Sequence, residues 1–330
     1  MTHTIDTGDA QPIRQQLRRH PPAHQVEIDK QVSNLLAQKV IEPAASPWSS
    51  NVVLAKKADG SWRCCIDFRQ LNDVTRKDAY PLPRTDQCFD ALAGSCLFSS
   101  LDLRSGYHQC ALSPVDADKT AFVTRRRMFR FRVLPFGLCN AVATFQRLMD
   151  IVLSGLNFEV CLVYIDDVIL MSTTPEQHLE RLEMILERFK QVNLKLKPSK
   201  CHLMQTEIIF LGHRISKDGI ATDPAKIQLI KDWPVPINLR QLRGFLGLAG
   251  YYRRFVRGYS ATAAPLNHLM KKNQRFEWSE ECQKAFDQLK EALMSPPVLV
   301  LPTEDDQFIL DTDASEESIG AVLSLSLIHI

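Results

Sequence analysis

The stretch Val160-Cys161-Leu162-Val163-Tyr164-Ile165-Asp166-Asp167-Val168-Ile169-Leu170-Met171 sets two adjacent carboxylates between two apolar runs. Such runs read as the strands of a hairpin, which leaves Asp166 and Asp167 at or near its turn. Aspartate also favours turns for its own sake, because its side chain bonds nearby backbone. Asp102 makes the pair more than turn chemistry, since it ends another largely apolar run, Cys96-Leu97-Phe98-Ser99-Ser100-Leu101. Carboxylates on strand ends suit hard, oxygen-seeking divalent cations such as magnesium. Two such ions can clamp the attacking and leaving oxygens of a phosphoryl transfer.

At 330 residues the chain exceeds one ordinary domain, and two or three are expected. Its 45% hydrophobic and 24% charged residues have the balance of a soluble globular protein. No apolar run approaches the roughly 20 residues of a membrane span, so no membrane partner is expected. The polar segment Met1 to Arg19 lacks the apolar core of a signal peptide. Nine cysteines, an odd number without C-x-x-C spacing, argue against zinc and against a secreted disulfide framework, and for reduced thiols in the cytosol. Net charge is only +2, but its distribution is uneven. Lys119 to Met149 holds seven basic residues and no acidic one, and Trp233 to Phe276 holds eight and none. Single-sign stretches suit a polyanionic backbone, although they also occur as solvated faces.

Along the chain, Ile28 to Ile41 has helical apolar spacing, broken by Pro43 and Pro47. Asn51 to Ala55 and Ser61 to Phe68 read as strands joined at Ala58-Asp59-Gly60. Thr85 to Leu92 and Asn140 to Leu153 read as helices, the second with Phe145, Leu148, Met149 and Val152 on one side. Met128 to Val133 alternates apolar with basic, a strand with one wet, positive face. Thr174-Pro175-Glu176-Gln177 is a capping box with proline at the first helical position. Leu194 to Leu196 and Ile208 to Leu211 return to strand. Asp232-Trp233-Pro234-Val235-Pro236 marks a boundary, followed by a helix carrying Leu242, Phe245, Ala249 and Tyr252. Pro296-Pro297 and Pro302 punctuate the later chain.

An ordered series of motifs extends this picture: SPWSSNVVLAKKADGSWRCCIDFRQLN from Ser46, YPLPRTDQCFDALAG from Tyr80, FSSLDLRSGYHQ from Phe98, KTAFVT from Lys119, LPFGLCNAVATFQRLMD from Leu134 and YIDDVIL from Tyr164. FLGHRIS from Phe210, LRGFLGLAGYYRRF from Leu242 and LDTDASEESIGAVLS from Leu310 complete it. From about His3 to Leu323 the chain resembles the reverse transcriptases of gypsy-type (Metaviridae) long-terminal-repeat retrotransposon Pol polyproteins, with the start of ribonuclease H. The resemblance implies an α+β right-hand polymerase of fingers, palm and thumb with an antiparallel palm sheet, plus a connection segment and a ribonuclease H-like start. It divides the chain into a lead-in from the protease side (1–45), fingers and palm (46–220), thumb (221–259), connection (260–305), ribonuclease H start (306–324) and a non-native tail (325–330). Met1 is then not expected to be a natural protein start. LSLIHI at 325–330 fits no family pattern, and the truncated ribonuclease H portion is expected not to cut RNA.

The resemblance also implies roles. Asp102, Asp166 and Asp167 would hold two magnesium ions (manganese being the alternative), with the Leu103 carbonyl as a further ligand. Lys57 and Arg63 would clamp the incoming triphosphate, with Lys56 an adjacent candidate. Tyr107 would be the steric gate against a ribose 2′-hydroxyl, its alternative a core tyrosine. Phe136, in LPFG, would pack by the incoming nucleotide. Ala141-Val142-Ala143 departs from the family's usual Ala-Pro-Ala, which puts the local turn geometry in doubt. Lys200 would protonate the leaving pyrophosphate, with Lys197 competing for the part. Tyr164 and the primer grip Phe210-Leu211-Gly212-His213 would meet the primer, and Arg240, Gln241, Arg243 and Arg253 the template–primer groove. Gly244, Gly247 and Gly250 would let either that groove or another helix approach. Asp313 would belong to an incomplete ribonuclease H site.

The expected activity is primer-dependent DNA synthesis on RNA and DNA templates from deoxynucleoside triphosphates, in cytoplasmic virus-like particles and later the nucleus. Other segments of the Pol polyprotein would be partners. The rivals are a relic that binds nucleic acid without turnover, and a fragment that needs its missing parts to fold. A viral RNA-dependent RNA polymerase shares the double aspartate, but Tyr107 and the ribonuclease H start favour DNA synthesis.

Overall fold

The computed structural model describes residues 1–57, 60–272, 274–294, 299, 308–314 and 319–325. The chain forms two compact units that interleave in sequence: Met1–Pro83, Ser100–Leu170 and Leu179–His202 make one, and Arg84–Ser99, Met171–His178 and Leu203–Ile330 the other. The fold is mixed α+β. Among the described residues no helix is long and apolar enough to cross a membrane.

In the first unit a five-stranded sheet runs in the order Ile41–Pro43, Met128–Phe131, Phe122–Val123, Ser50–Lys56 and Trp62–Ile66. The last two strands pair antiparallel, with Val52 opposite Ile66 and Lys56 opposite Trp62. Ala58 and Asp59, read from sequence as part of the joining turn, lie outside the described residues. The helix expected over 28–41 occupies Pro22–Ala37 instead. Proline suits a first helical position, and Lys39 turns left-handed at φ 57°. Val40 and Ile41 therefore leave the helix, and Ile41–Pro43 pairs with the strand carrying Phe129 and Phe131. That partner strand alternates as its sequence predicts, with Phe129 and Phe131 buried. Its positive face is not bare, because Arg130 is paired with Glu42 and with Asp118, each at 2.7 Å.

The helix Ala141–Val152 buries Phe145, Met149 and Val152. Val142 is its second residue, where an amide has no intrahelical acceptor in any case. A helix can therefore start here without the family's proline. Phe145 and Met149 join Val163, Val168, Leu170 and Ile185 in one apolar cluster, each at most 1% exposed. Full burial of such side chains is worth about 1.5–3 kcal/mol each, so the aspartate hairpin rests on a rigid floor. Leu194 to Leu196, expected as a strand, forms a single antiparallel bridge between Leu196 and Leu103. Pro198 then opens the 3₁₀ turn Pro198–Lys200 and ends the extended run.

In the second unit Glu207–Phe210, His213–Ser216 and Gly219–Thr222 form an antiparallel meander. Helices Pro224–Lys231, Leu239–Tyr251, Tyr259–His268 and Glu280–Met294 follow. Phe245 packs its ring, tilted, against Phe286 of the last helix, the centroids 4.6 Å apart. Tyr252, expected within the Leu242 helix, is its C-terminal cap and is 1% exposed. Phe308–Ala314 pairs with Ile319–Leu325, which sets Asp313 opposite Gly320. The side chain of Asp313, the prolines at 296, 297 and 302, and residues 326–330 of the tail lie outside the described residues.

The capping box at Thr174 forms one residue out of register. The Gln177 amide donates to Thr174 Oγ1 at 3.3 Å, while Gln177 Oε1 accepts from the Thr173 amide at 3.0 Å. Just beyond it His178, 0% exposed, bonds Ser99 Oγ at 2.6 Å and Ser172 Oγ at 2.7 Å. Ser99 Oγ also accepts the Met204 amide at 3.0 Å. Removing the ring strands two buried hydroxyls. We expect His178→Leu to lower unfolding stability by about 2–4 kcal/mol and Ser172→Ala by about 1 kcal/mol, read from denaturant midpoints.

Candidate active site at the paired aspartates

The hairpin carries a two-residue loop, Ile165-Asp166, with Tyr164 opposite Asp167. Asp166 sits in the loop and Asp167 opens the returning strand Asp167–Ser172. Both are exposed. Ile165 has φ 59°, a left-handed conformation that a β-branched residue adopts at a cost of about 1–3 kcal/mol. Its amide donates to Gln146 Oε1 at 2.7 Å.

The strand Leu97–Asp102 lies next to Asp167–Ser172. The Cys96 amide donates to the Ser172 carbonyl at 2.9 Å, so the antiparallel register carries Asp102 to the level of Asp166. On its other side, Asp102 and Arg104 use their own carbonyl and amide to bond Lys197 and Lys195, at 2.8 and 2.9 Å. In an antiparallel bridge of that type the residue between them turns its carbonyl the opposite way. The Leu103 carbonyl is thus directed to the side of the paired aspartates.

The three carboxylates feel one another. Asp167 keeps an exposed edge, yet lost hydration around its carboxyl is the largest cause of a pKa above its ordinary value, with Asp166 and then Asp102 adding to the shift and Lys200 opposing it. Lys200 Nζ bonds Asp102 Oδ2 at 2.9 Å. That bond is the main reason the ammonium holds its proton above its usual range, and the charges of Asp166 and Asp167 reinforce it. Lys197 contributes its backbone, through the amide bond to the Asp102 carbonyl. Among the described residues no three acidic, histidine or cysteine side chains converge tightly enough to enclose a metal ion. What Asp102 touches is the Lys200 ammonium, not a second carboxylate.

Tyr107 lies in the 3₁₀ turn Gly106–Gln109, half-buried, with its ring 5.0 Å from Phe136 and 5.3 Å from Phe145. Burial, and then Asp166, raise its pKa. Gly106 allows this approach, because a Cβ there would meet Phe145 at 3.0 Å and the Asp166 Cβ at 3.6 Å. Phe136 is 48% exposed, large for an aromatic side chain, with the Arg63 guanidinium 5.6 Å above its ring. Arg63, Phe136, His108 and Ile66 line a cavity of about 210 Å³. Arg63 pairs opposite Ala55, and the Lys57 amide bonds the Ser61 carbonyl at 2.8 Å. Strand alternation therefore puts Lys57 on the face of Arg63 and Lys56, opposite Trp62, on the other.

The second unit holds the remaining predicted residues. Phe210 is 2% and His213 6% exposed, so both pack inside. Leu211 and Gly212 form the tip at φ 47° and 70°. Tyr251 and Tyr252 hydroxyls donate to their carbonyls, each at 2.5 Å. His213 bonds the Leu211 carbonyl at 2.9 Å, stacks on Phe255 and meets Phe89 and Tyr252 edge-on. Burial keeps its pKa below the ordinary value, with that carbonyl acting in the other direction. Arg240, Gln241, Arg243 and Arg253 are exposed. Gln241 Oε1 already caps its helix, accepting the Ile237 amide at 2.9 Å. A Cβ at Gly247 would touch nothing within 4 Å, so among the described residues no helix packs on that face.

Sequence reasoning missed Gln146 and the left-handed Ile165. Only the spacing of Gln146 and Asp150 on one helix face hinted at a buried polar pair.

Residues 55–215 match the family described as reverse transcriptase (RNA-dependent DNA polymerase), and 278–326 match an RNase H-like domain found in reverse transcriptase. The chain is 37% identical over 328 residues to the retrovirus-related Pol polyprotein from transposon 297 of Drosophila melanogaster, covering 98% of this chain and 31% of that one. It is 38% identical over 322 residues to the Pol polyprotein from transposon 412 of the same organism, covering 96% and 26%, and 35% identical over 344 residues to that from transposon gypsy, covering 98% and 33%. The chain thus spans about a third of the length of these relatives. Among solved structures, a foamy viral protease-reverse transcriptase in complex with double-stranded DNA superposes with a TM-score of 0.89 at 22% identity, covering 98% of this chain and 57% of that one. Another, in complex with RNA/DNA hybrid, gives 0.85 at 22% identity, covering 98% and 44%. At that identity the likeness establishes the fold.

The raised pKa of Asp167 has a stability consequence. The folded chain holds this proton more tightly than the unfolded chain, so the group's favourable contribution is present at low pH and lost as pH rises through the folded pKa. At neutral pH its charge therefore opposes folding. We expect Asp167→Asn to melt above the wild type in chelator at pH 7, and the gap to shrink as pH falls. Calorimetry at two pH values checks this.

Proposed function

Because the chain belongs to the gypsy-like long-terminal-repeat retrotransposon Pol polyproteins, comprising their reverse transcriptase region and the start of an RNase H-like domain, we propose that it catalyses primer-dependent DNA synthesis on RNA and DNA templates. One observation carries the reading: Asp102 and Asp167 stand on neighbouring strands with Asp166 in the adjoining loop, beside Lys200 and close enough for their charges to act on Asp167.

In the proposed reaction the primer 3′-oxygen bonds the α-phosphorus of a deoxynucleoside triphosphate, the α–β phosphoanhydride bond breaks, and pyrophosphate leaves. Asp102, Asp166, Asp167 and the Leu103 carbonyl are hard oxygen donors that fit magnesium or manganese, and the ammonium on Asp102 marks the place as one that draws positive charge. Two such ions, when bound, would neutralise charge on the attacking and leaving oxygens. The chain's own residues position and protonate. Lys57 and Arg63, on one face of their hairpin, would grip the triphosphate, Arg63 bidentately. Tyr107 on Phe136 would floor the sugar and refuse a 2′-hydroxyl. Lys200, protonated above its ordinary range, would supply the proton that pyrophosphate takes as it leaves.

The second unit would hold the duplex. The Leu211-Gly212 tip would support the primer, backed by Phe210 and His213 from inside, with Tyr164 at the hairpin. Arg240, Arg243 and Arg253 would meet phosphates by charge rather than by sequence. Gln241 would serve there through its cap, and the open face at Gly247 would let the groove approach. Relatives of this fold solved with double-stranded DNA and with RNA/DNA hybrid are consistent with such a ligand. Magnesium, the nucleotides, other Pol segments and a place in cytoplasmic particles belong to this proposal.

Primer extension with magnesium on an RNA template tests it. We expect product from the wild type and a loss of at least about a hundredfold in kcat for Asp166→Asn, the scale of several kcal/mol of lost charge stabilisation. Binding of template–primer without extension by the wild type would leave a non-catalytic relic as the better reading. We further expect Tyr107→Val to admit ribonucleotides at least about tenfold more readily, scored by competing deoxy- and ribonucleotides; this step is about 1.4 kcal/mol in discrimination.

A further inference from the structure

Gln146 is 0% exposed in the middle of the helix Ala141–Val152, and every polar atom of its side chain is used. Oε1 accepts the Ile165 amide at 2.7 Å. Nε2 donates to Asp150 Oδ1 at 3.0 Å and reaches the Val163 carbonyl at 3.4 Å. A carboxylate and a carbonyl can only accept, so the amide nitrogen must face them and the oxygen must face Ile165. Asp150 is held in turn. Its Oδ2 accepts the Tyr80 hydroxyl at 2.7 Å and its Oδ1 accepts Asn157 Nδ2 at 3.2 Å. Tyr80 is clamped under the Arg147 guanidinium, 4.5 Å from its ring, and Arg147 itself grips the Asp78 carboxylate at 3.0 and 2.7 Å.

Ile165 is the residue immediately before the paired aspartates, and it stands in a backbone conformation that a β-branched side chain resists. Such a conformation persists only where the surroundings over-determine it. Three of the groups that do so lie outside the loop, in a line from Tyr80 through Asp150 to Gln146. We propose that Gln146 is a positioning residue, braced by Asp150 and, through it, by Tyr80: the hydrogen bond that Gln146 accepts from the Ile165 amide holds the turn that aims Asp166 and Asp167. This rests on the polymerase reading for its effect on synthesis, but not for its effect on the turn itself.

The line makes a directional prediction. Gln146→Leu keeps the shape but removes the acceptor. Gln146→Glu keeps the acceptor and sets two carboxylates against each other. Asp150→Asn beside Gln146→Glu restores a donor between them, so the double variant regains part of what the single one loses.

The test uses the full chain with template–primer. Residue-resolved hydrogen exchange reads the Ile165 amide, and primer extension across magnesium concentrations reads kcat, the half-activating magnesium level and KM for template–primer. For Gln146→Leu we expect the Ile165 amide to exchange at least about tenfold faster. We also expect kcat to fall at least about tenfold, the half-activating magnesium level to rise several-fold, and KM for template–primer to stay within about twofold. Tyr80→Phe, a milder change, moves exchange and magnesium dependence the same way by about two- to threefold, which guards against a Gln146 variant that simply misfolds. Gln146→Glu with Asp150→Asn recovers part of both. Unchanged Ile165 exchange in Gln146→Leu and Tyr80→Phe overturns the proposal, as does a loss confined to KM. A wild type that makes no DNA sinks the polymerase reading instead, and the exchange comparison still decides the role of Gln146.

Discussion

Like-charge repulsion among Asp102, Asp166 and Asp167 is the constraint around which this fold is arranged. Nothing in a folded chain gathers three carboxylates spontaneously, so something rigid must hold their strand ends together. Here that is the apolar cluster under the hairpin, where Val163, Val168 and Leu170 are within 1% of full burial and Leu101 and Leu103 within 3%. Lost hydration first, and the charges of Asp166 and Asp102 after it, raise the pKa of Asp167, and the Lys200 ammonium on Asp102 is the local relief. A site built this way is destabilising alone and becomes favourable when positive charge enters it.

The same logic explains why the loop is strained. A two-residue turn is the shortest way to put one aspartate in the loop and the next at a strand start. Glycine or asparagine would adopt the left-handed position easily; isoleucine does not. The isoleucine lends apolar surface to the cluster below, and the backbone cost is met by a buried hydrogen bond from the neighbouring helix. Strain thus falls on the residue just before the paired aspartates, with its support placed outside the loop.

Local patterns made much of this legible in the sequence. Two apolar runs flanking the carboxylates located the aspartate hairpin, apolar spacing located the helix at 141–152, and a capping signature located the helix at 175. The motif order identified the family. What remained hidden depended on pairings distant in sequence. The positive face at Arg130 is neutralised by Glu42, which no window around Arg130 contains. His213 gave no sign of the aromatic shell formed by Phe89, Tyr252 and Phe255. The helix at 22–37 was misplaced because Lys39 turns left-handed, and a lysine carries no signal for that. A helical window gives Gln146 no distinguishing signal, and its bond to the Ile165 amide exists only once the hairpin is folded against it.

The central claim is that Asp102 and the paired aspartates serve one cation site although they lie far apart in the chain. Manganese titration followed by electron paramagnetic resonance tests this most directly, without any need for turnover. The account predicts that Asp102→Asn and Asp167→Asn each weaken manganese binding at the same site by at least about tenfold, and that the double variant is little worse than either. Manganese affinity and stoichiometry in Asp102→Asn equal to those of the wild type would contradict it.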